Sequence, residues 1–225
     1  MFYLIILNMR EVIPTVFAMN KKEFDERLAK LVKISKKIQI DFMDGDFVSS
    51  EGVRLKDIPN LRKYKCDFEA HLMVDNPEEW FEELKEKGFK KVLFHYESVR
   101  NFENISRIFF EIKNKRMEPW IVFNPETSFQ EAVRVASEIY GFEGIMFMGV
   151  RPGMEGQEIE VNIYRKIINF KRAFPKVKVQ IDGGVNLESI EKLKDAGADI
   201  VNTGSFVSNA KNPKEALEIL RKKFS

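Results

Sequence analysis

Val12-Ile13-Pro14-Thr15-Val16-Phe17-Ala18, followed by Asn20 and an amphipathic run from Lys21 to Val32, opens a series of eight similar units. A short run rich in β-branched and aromatic residues reads as a strand, and an Asn before a helix-period pattern reads as its N-cap. The turn after this first strand decides between two architectures. An open, doubly wound sheet would more often carry a GxGxxG turn there, where a dinucleotide needs close backbone approach. The chain has Thr15-Val16-Phe17-Ala18 instead. A closed barrel is the expected arrangement.

Further along, the runs Lys37 to Phe42, Phe68 to Val74, Lys91 to His95, Pro119 to Asn124, Gly144 to Met148, Val177 to Ile181 and Asp199 to Val201 repeat the strand pattern. Helical stretches separate them. A short piece is expected around Asp57 to Arg62. A longer helix is expected after Asn76, with Pro77 at its first position and Gly88 as its stop, and a last one from Pro213 to Lys223. Alternating units of this kind, with no linker between them, predict an α/β fold, a single (β/α)8 barrel spanning residues 1–225. Met1 to Asn8 is almost wholly apolar and is read as an extension of a chain starting at Met9; the alternative is a short strand or an oligomer contact.

With 44% hydrophobic and 32% charged residues and a formal net charge of +2, the composition suits a globular protein with a sizeable core. Nothing in it points to a nucleic-acid or membrane partner. The opening apolar stretch is too short to span a bilayer and lacks a basic flank. The single cysteine, Cys66, allows no internal disulfide, which suits a reducing cytoplasm.

In such a barrel, function sits at the C-terminal ends of the strands and in the loops that follow. Residues two apart on a strand share a face, so Gln39 with Asp41, Glu69 with His71 and Gln180 with Asp182 can all point inward. Strand four ends with Phe94-His95-Tyr96-Glu97. Taken singly, Asp41 is an ordinary turn residue, His71 a buried histidine and Asp182-Gly183-Gly184 a turn string. Converging at one end, two carboxylates and a histidine suit paired acid/base work or a divalent metal. A second group consists of Gly153 and Gly156 after strand six, Gly183-Gly184 after strand seven, and Gly204-Ser205 after strand eight. Loops seven and eight commonly bind phosphate in this fold, and glycines let backbone N–H groups approach the anion.

Asp41-Phe42-Met43-Asp44-Gly45-Asp46-Phe47-Val48, His71-Leu72-Met73-Val74, Phe94-His95, Asn124-Pro125, Met148 through Gln157, Asp182-Gly183-Gly184-Val185 and Gly204-Ser205 together resemble the ribulose-phosphate 3-epimerase family. The matches run in order from Val12 to the last helix. The resemblance implies a TIM barrel of the ribulose-phosphate-binding type, acting on a sugar-phosphate substrate and assembling as a homo-oligomer in the cytoplasm. It implies that Asp41 and Asp182 are the catalytic acid and base on opposite faces of the substrate. It further implies that Asp41, His71 and Asp182 bind a divalent metal ion (Zn, Mn, Fe, Co or Mg), and that Thr15, Met43, Met73 and Met148 contact substrate.

The departures from the family pattern surround the same place. Gln39 stands where the family has its remaining metal-ligating histidine; an amide oxygen suits Mg²⁺ or Mn²⁺ better than zinc. Thr15 and Ala18 replace two serines, Asp46 replaces a histidine, and Arg151 and Glu155 change the loop after strand six. Arg151 would bring a cation towards an anionic group. Three readings follow: a pentulose-phosphate epimerase, a related phosphate-barrel enzyme with another substrate, or a non-catalytic binder of a phosphate ligand. A decarboxylase or hexulose-phosphate synthase is disfavoured, because strand two lacks their Asp-x-Lys-x-x-Asp string: position 43 is Met.

Overall fold

The computed structural model describes residues 10–99, 101–139 and 141–225; the expected extension Met1 to Asn8 lies outside them. Eight parallel strands close on themselves in sequence order. They are β1 (Glu11–Val16), β2 (Lys37–Met43), β3 (Asp67–Met73), β4 (Lys91–His95), β5 (Glu118–Phe123), β6 (Gly144–Met148), β7 (Lys178–Asp182) and β8 (Ile200–Thr203). Each expected strand is present within two residues of its expected ends. The helices are α1 (Lys21–Leu31), α2 (Phe81–Lys87), α3 (Tyr96–Val99), α4 (Phe102–Asn114), α5 (Phe129–Glu138), α6 (Asn162–Ala173), α7 (Ser189–Ala196), α8 (Ser205–Ser208) and α9 (Pro213–Phe224). None of the described helices is long and apolar enough to cross a membrane.

One unit departs from the pattern. Between β2 and β3 there is no α-helix, only the 3-10 turns Leu55–Asp57 and Leu61–Lys63. Pro59 accounts for the break: its ring disfavours helical geometry in the preceding residue, and Ile58 is extended at ψ 149°. The helix expected from Pro77 also starts late: Pro77–Trp80 forms a 3-10 turn that Asn76 does not cap with its side chain, and α2 begins at Phe81. Two other local signals act as expected. The Asn20 side chain accepts a hydrogen bond from the Glu23 N–H, and Gly88 ends α2 at φ 98°.

Both faces of every strand are buried, so the strands show little of the polar alternation that marks a one-sided sheet. Their outward residues, including Phe42, Phe68, Phe94, Phe123 and Phe147, pack against the helices in one large core. Inside the barrel, Ile13, Leu93, Trp120, Val122, Met146, Met148 and Ile200 form a second apolar cluster. Gly144 lies directly against the Trp120 ring, leaving no room for a Cβ. The rest of the interior is polar, and the register puts Asp41 beside His71 and Met148 beside Asp182.

Candidate active site

Three strands deliver the central cluster. Asp41 near the end of β2, His71 on β3 and Asp182 at the end of β7 are all buried. His71 Nδ1 lies 3.0 Å from Asp41 Oδ1 and 3.3 Å from Asp182 Oδ2. Burial by itself would push His71 down, but its hydrogen bonds to Asp182 and Asp41 outweigh that and hold it up at about 9. Burial lifts Asp41 to about 6, with the Asp182 charge adding to the rise and the His71 hydrogen bond opposing it. One proton therefore sits between two carboxylates. Each of the three residues offers a ligand atom, all within 4.8 Å of one another, so the donor set fits a divalent cation in the proton's place.

Gln39 takes part differently from the sequence expectation. Its amide nitrogen donates to Asp41 Oδ1 at 2.9 Å and to Asp182 Oδ2 at 2.6 Å. Its oxygen points down the barrel, accepting from Asn202 Nδ2 at 2.9 Å. The atom that would ligate a metal is thus turned away from the cluster, and the amide instead ties the two carboxylates together. Below it the network continues: Gln180 donates to Glu69 at 2.7 Å and to Asn202 at 2.6 Å, and Lys91 pairs with Glu69 at 3.0 Å. The Lys91 ammonium sits 3.5 Å from the Trp120 ring centroid. These contacts satisfy polar groups that would be costly to bury unpaired.

The cluster forms the floor of a cavity of about 410 Å³. Thr15, Met73 and Met148 line it, and so do Gly153, Gly156, Gly183, Gly184, Gly204 and Ser205. Met43 is not a lining residue; it packs with Val48 and Met73 beside the cavity. Gly183 and Gly184 adopt φ 96° and 71°, and a Cβ on Gly184 would come within 2.7 Å of the Ile159 backbone nitrogen. Only glycine fits there, and this is the geometry that lets backbone N–H groups crowd an anion.

Two loop residues behave unexpectedly. Arg151 lines the cavity, but its side chain is largely exposed and its guanidinium is paired with Glu126 at 2.8 Å. The Glu155 carboxylate instead reaches into the cradle, with one oxygen 2.8 Å from where a Cβ on Gly204 would stand. Arg27 of α1 holds both its oxygens, at 3.0 and 2.9 Å. Burial pushes the Glu155 carboxyl up, with Arg27 opposing.

Asn202 was missed by sequence reasoning because strand eight was expected to stop at Val201. The inward alternation applied to the other strands would have found it, two residues before Gly204. Arg27 carries no comparable signal; only the fold brings it to a residue 128 positions away.

Among solved structures, 3-hexulose-6-phosphate synthase from Salmonella typhimurium aligns over 95% of this chain and 98% of its own, with TM-score 0.71 and 15% identity. Orotidine 5'-phosphate decarboxylase from Pyrococcus horikoshii OT3 aligns over 95% and 98% at TM-score 0.65 and 16% identity. At such identities the likeness concerns the fold alone. Sequence comparison is more specific. The cytoplasmic isoform of ribulose-phosphate 3-epimerase from Oryza sativa is 31% identical, over 82% of this chain and 81% of its own length. The ribulose-phosphate 3-epimerase of Schizosaccharomyces pombe is 26% identical over 94% and 92%. Residues 11–208 match the Ribulose-phosphate 3 epimerase family, and the chain belongs to that family of isomerases.

Proposed function

We propose that this protein interconverts D-ribulose 5-phosphate and D-xylulose 5-phosphate by moving a proton at C3 between two carboxylates. The observation that carries this reading is the pair Asp41 and Asp182, both buried and both hydrogen-bonded to one imidazole and one amide, at the floor of a glycine-lined cavity. One carboxylate removes the C3 proton from one face of the sugar, and the other returns a proton to the opposite face.

Asp41, His71 and Asp182 would hold a divalent metal ion, with Gln39 outside the ligand set. When bound, such an ion acts as a Lewis acid that stabilises the negative charge of the enediolate. Gln39, donating to both carboxylates, fixes their positions, while Met73 and Met148 keep water away from the reacting carbon. The substrate phosphate would bind the backbone N–H groups around Gly183, Gly184, Gly204 and Ser205, with Gly153 and Gly156 shaping the loop over it. Glu155 favours one narrower variant of this reading, a close sugar phosphate in place of the pentulose, because its carboxylate alters the cradle.

The test is D-ribulose 5-phosphate in D₂O with metal-stripped or Zn²⁺-, Mn²⁺- or Mg²⁺-loaded protein, followed by NMR. Deuterium at C3 with xylulose 5-phosphate accumulating is the expected result. No exchange with any metal, with the sugar phosphate still bound, would make the protein an enzyme for another substrate or a binder.

A further inference from the structure

Behind His71, on the side away from the cavity, a second chain of buried polar groups runs through β4 into the loop after β5. His71 Nε2 meets His95 Nε2 at 2.9 Å, and the two rings stack at 23° with centroids 5.1 Å apart. His95 Nδ1 faces Glu97 Oε2 at 3.5 Å. Both of these last atoms are buried and have no other partner.

The protons in this chain can be placed by elimination. Glu97 Oε1 already accepts from the Asn124 N–H at 2.9 Å and from the Thr127 hydroxyl. An oxygen that accepts two donors marks an ionised carboxylate, which has no hydrogen to give. The orphaned Oε2 therefore needs a donor, and His95 Nδ1–H is the one that faces it. Asn124 Oδ1, also without a hydrogen-bond partner, is a second acceptor beside the His95 ring. A neutral His95 with its hydrogen on Nδ1 has a bare Nε2, which accepts. The 2.9 Å contact then requires the hydrogen to lie on His71 Nε2. With that position filled, a neutral His71 presents its Nδ1 lone pair to Asp41 and Asp182.

We infer that Glu97 and His95 are positioning residues that choose the tautomer of His71, making its Nδ1 the atom available to a divalent cation. The inference rests on the reading of Asp41, His71 and Asp182 as metal ligands. A metal-bound imidazole held by a hydrogen bond from its other nitrogen is a general device, and losing the outer partner typically weakens metal affinity about 10–100-fold. Here the outer partner is a second histidine, itself set by a carboxylate one step further back.

The chain contains only two histidines, His71 and His95, so long-range ¹H–¹⁵N NMR reads both rings without assignment difficulty. In the wild-type protein His95 should be the neutral Nδ1–H form. Added Zn²⁺ should leave His71 protonated on Nε2 alone. In Glu97→Gln, of the same shape, the amide should donate to His95 Nδ1 and drive that hydrogen to Nε2, where it opposes the His71 Nε2–H. Zn²⁺ affinity measured by calorimetry should then fall about 10–100-fold, with the thermal midpoint of the metal-free protein little changed. A wild-type His95 carrying its hydrogen on Nε2 overturns the inference, and so does a Glu97→Gln protein with unchanged tautomers and unchanged Zn²⁺ affinity. A wild-type protein that binds no Zn²⁺, Mn²⁺ or Mg²⁺ removes the metal reading instead, while the His95 tautomer still decides the relay.

Discussion

Asp41 and Asp182 share one imidazole and one amide, yet they stand 141 positions apart in the sequence. Replacing either with Asn keeps the shape and removes the proton acceptor. Asp182→Asn and Asp41→Asn should each lower C3 exchange by about a hundredfold or more, the usual scale of lost acid/base catalysis. Exchange that survives the double substitution would rule out the two-carboxylate route. The same groups shape stability in the metal-free protein. His71 at about 9 lies above its ordinary 6.5, so the folded state binds its proton more tightly than the unfolded state does. That contribution is complete below 6.5 and is lost as pH rises through about 9. Asp41, raised from 3.8 to about 6, acts in the same sense over a lower range. With chelator present, the thermal midpoint should therefore fall between neutral pH and about pH 9, and His71→Asn should flatten that fall.

The loop after β6 brings a negative charge to the proposed phosphate site. Its Glu155 carboxylate rests on Gly204 and is clamped by Arg27 from α1. A phosphate bound at Gly204, as proposed, would meet that negative charge. Like charges about 4 Å apart repel by about 1 kcal/mol in water, roughly a fivefold effect on binding. Glu155→Gly should lower the KM for the sugar phosphate by about that factor, with kcat nearly constant, and added salt should shrink the difference. A KM that rises instead would show that Glu155 assists binding by holding Arg27 near the phosphate. The neighbouring loop after β7 is less tolerant, since Gly184 has a positive φ and the Ile159 backbone against it. The β2–β3 connection, having no helix, leaves the Phe47 ring free to lie 4.8 Å from His95 at the side of the cluster.

Closure of the barrel is what turns eight separate strand ends into one site, and the interior filling keeps it closed. Trp120 fills the lower half of the barrel, with Gly144 on the adjoining strand accommodating its ring. Gly144→Ala forces a methyl group into that ring. Overpacking of this kind costs about 1–3 kcal/mol, which in a chain of this size is a fall of roughly 2–10 °C in the thermal midpoint. Calorimetry would measure it. An unchanged midpoint would mean that the barrel adjusts at its lower end without strain.

Read from the chain alone, the strand runs, the Asn20, Pro77 and Gly88 punctuation and the missing GxGxxG turn sufficed for the barrel. Those are local signals, set by backbone geometry within a few residues. Alternation also placed Asp41, His71 and Asp182 inward, because side-chain direction along a strand has a period of two. The orientation of Gln39 was not legible. Which end of an amide faces a carboxylate depends on Asn202 and Gln180, which reach it only across the closed barrel. The Arg151–Glu126 pair, the Arg27–Glu155 clamp and the His71–His95–Glu97 chain have the same character. Each is a choice among hydrogen-bond partners distant in sequence, and such a choice exists only once the tertiary structure has brought them together.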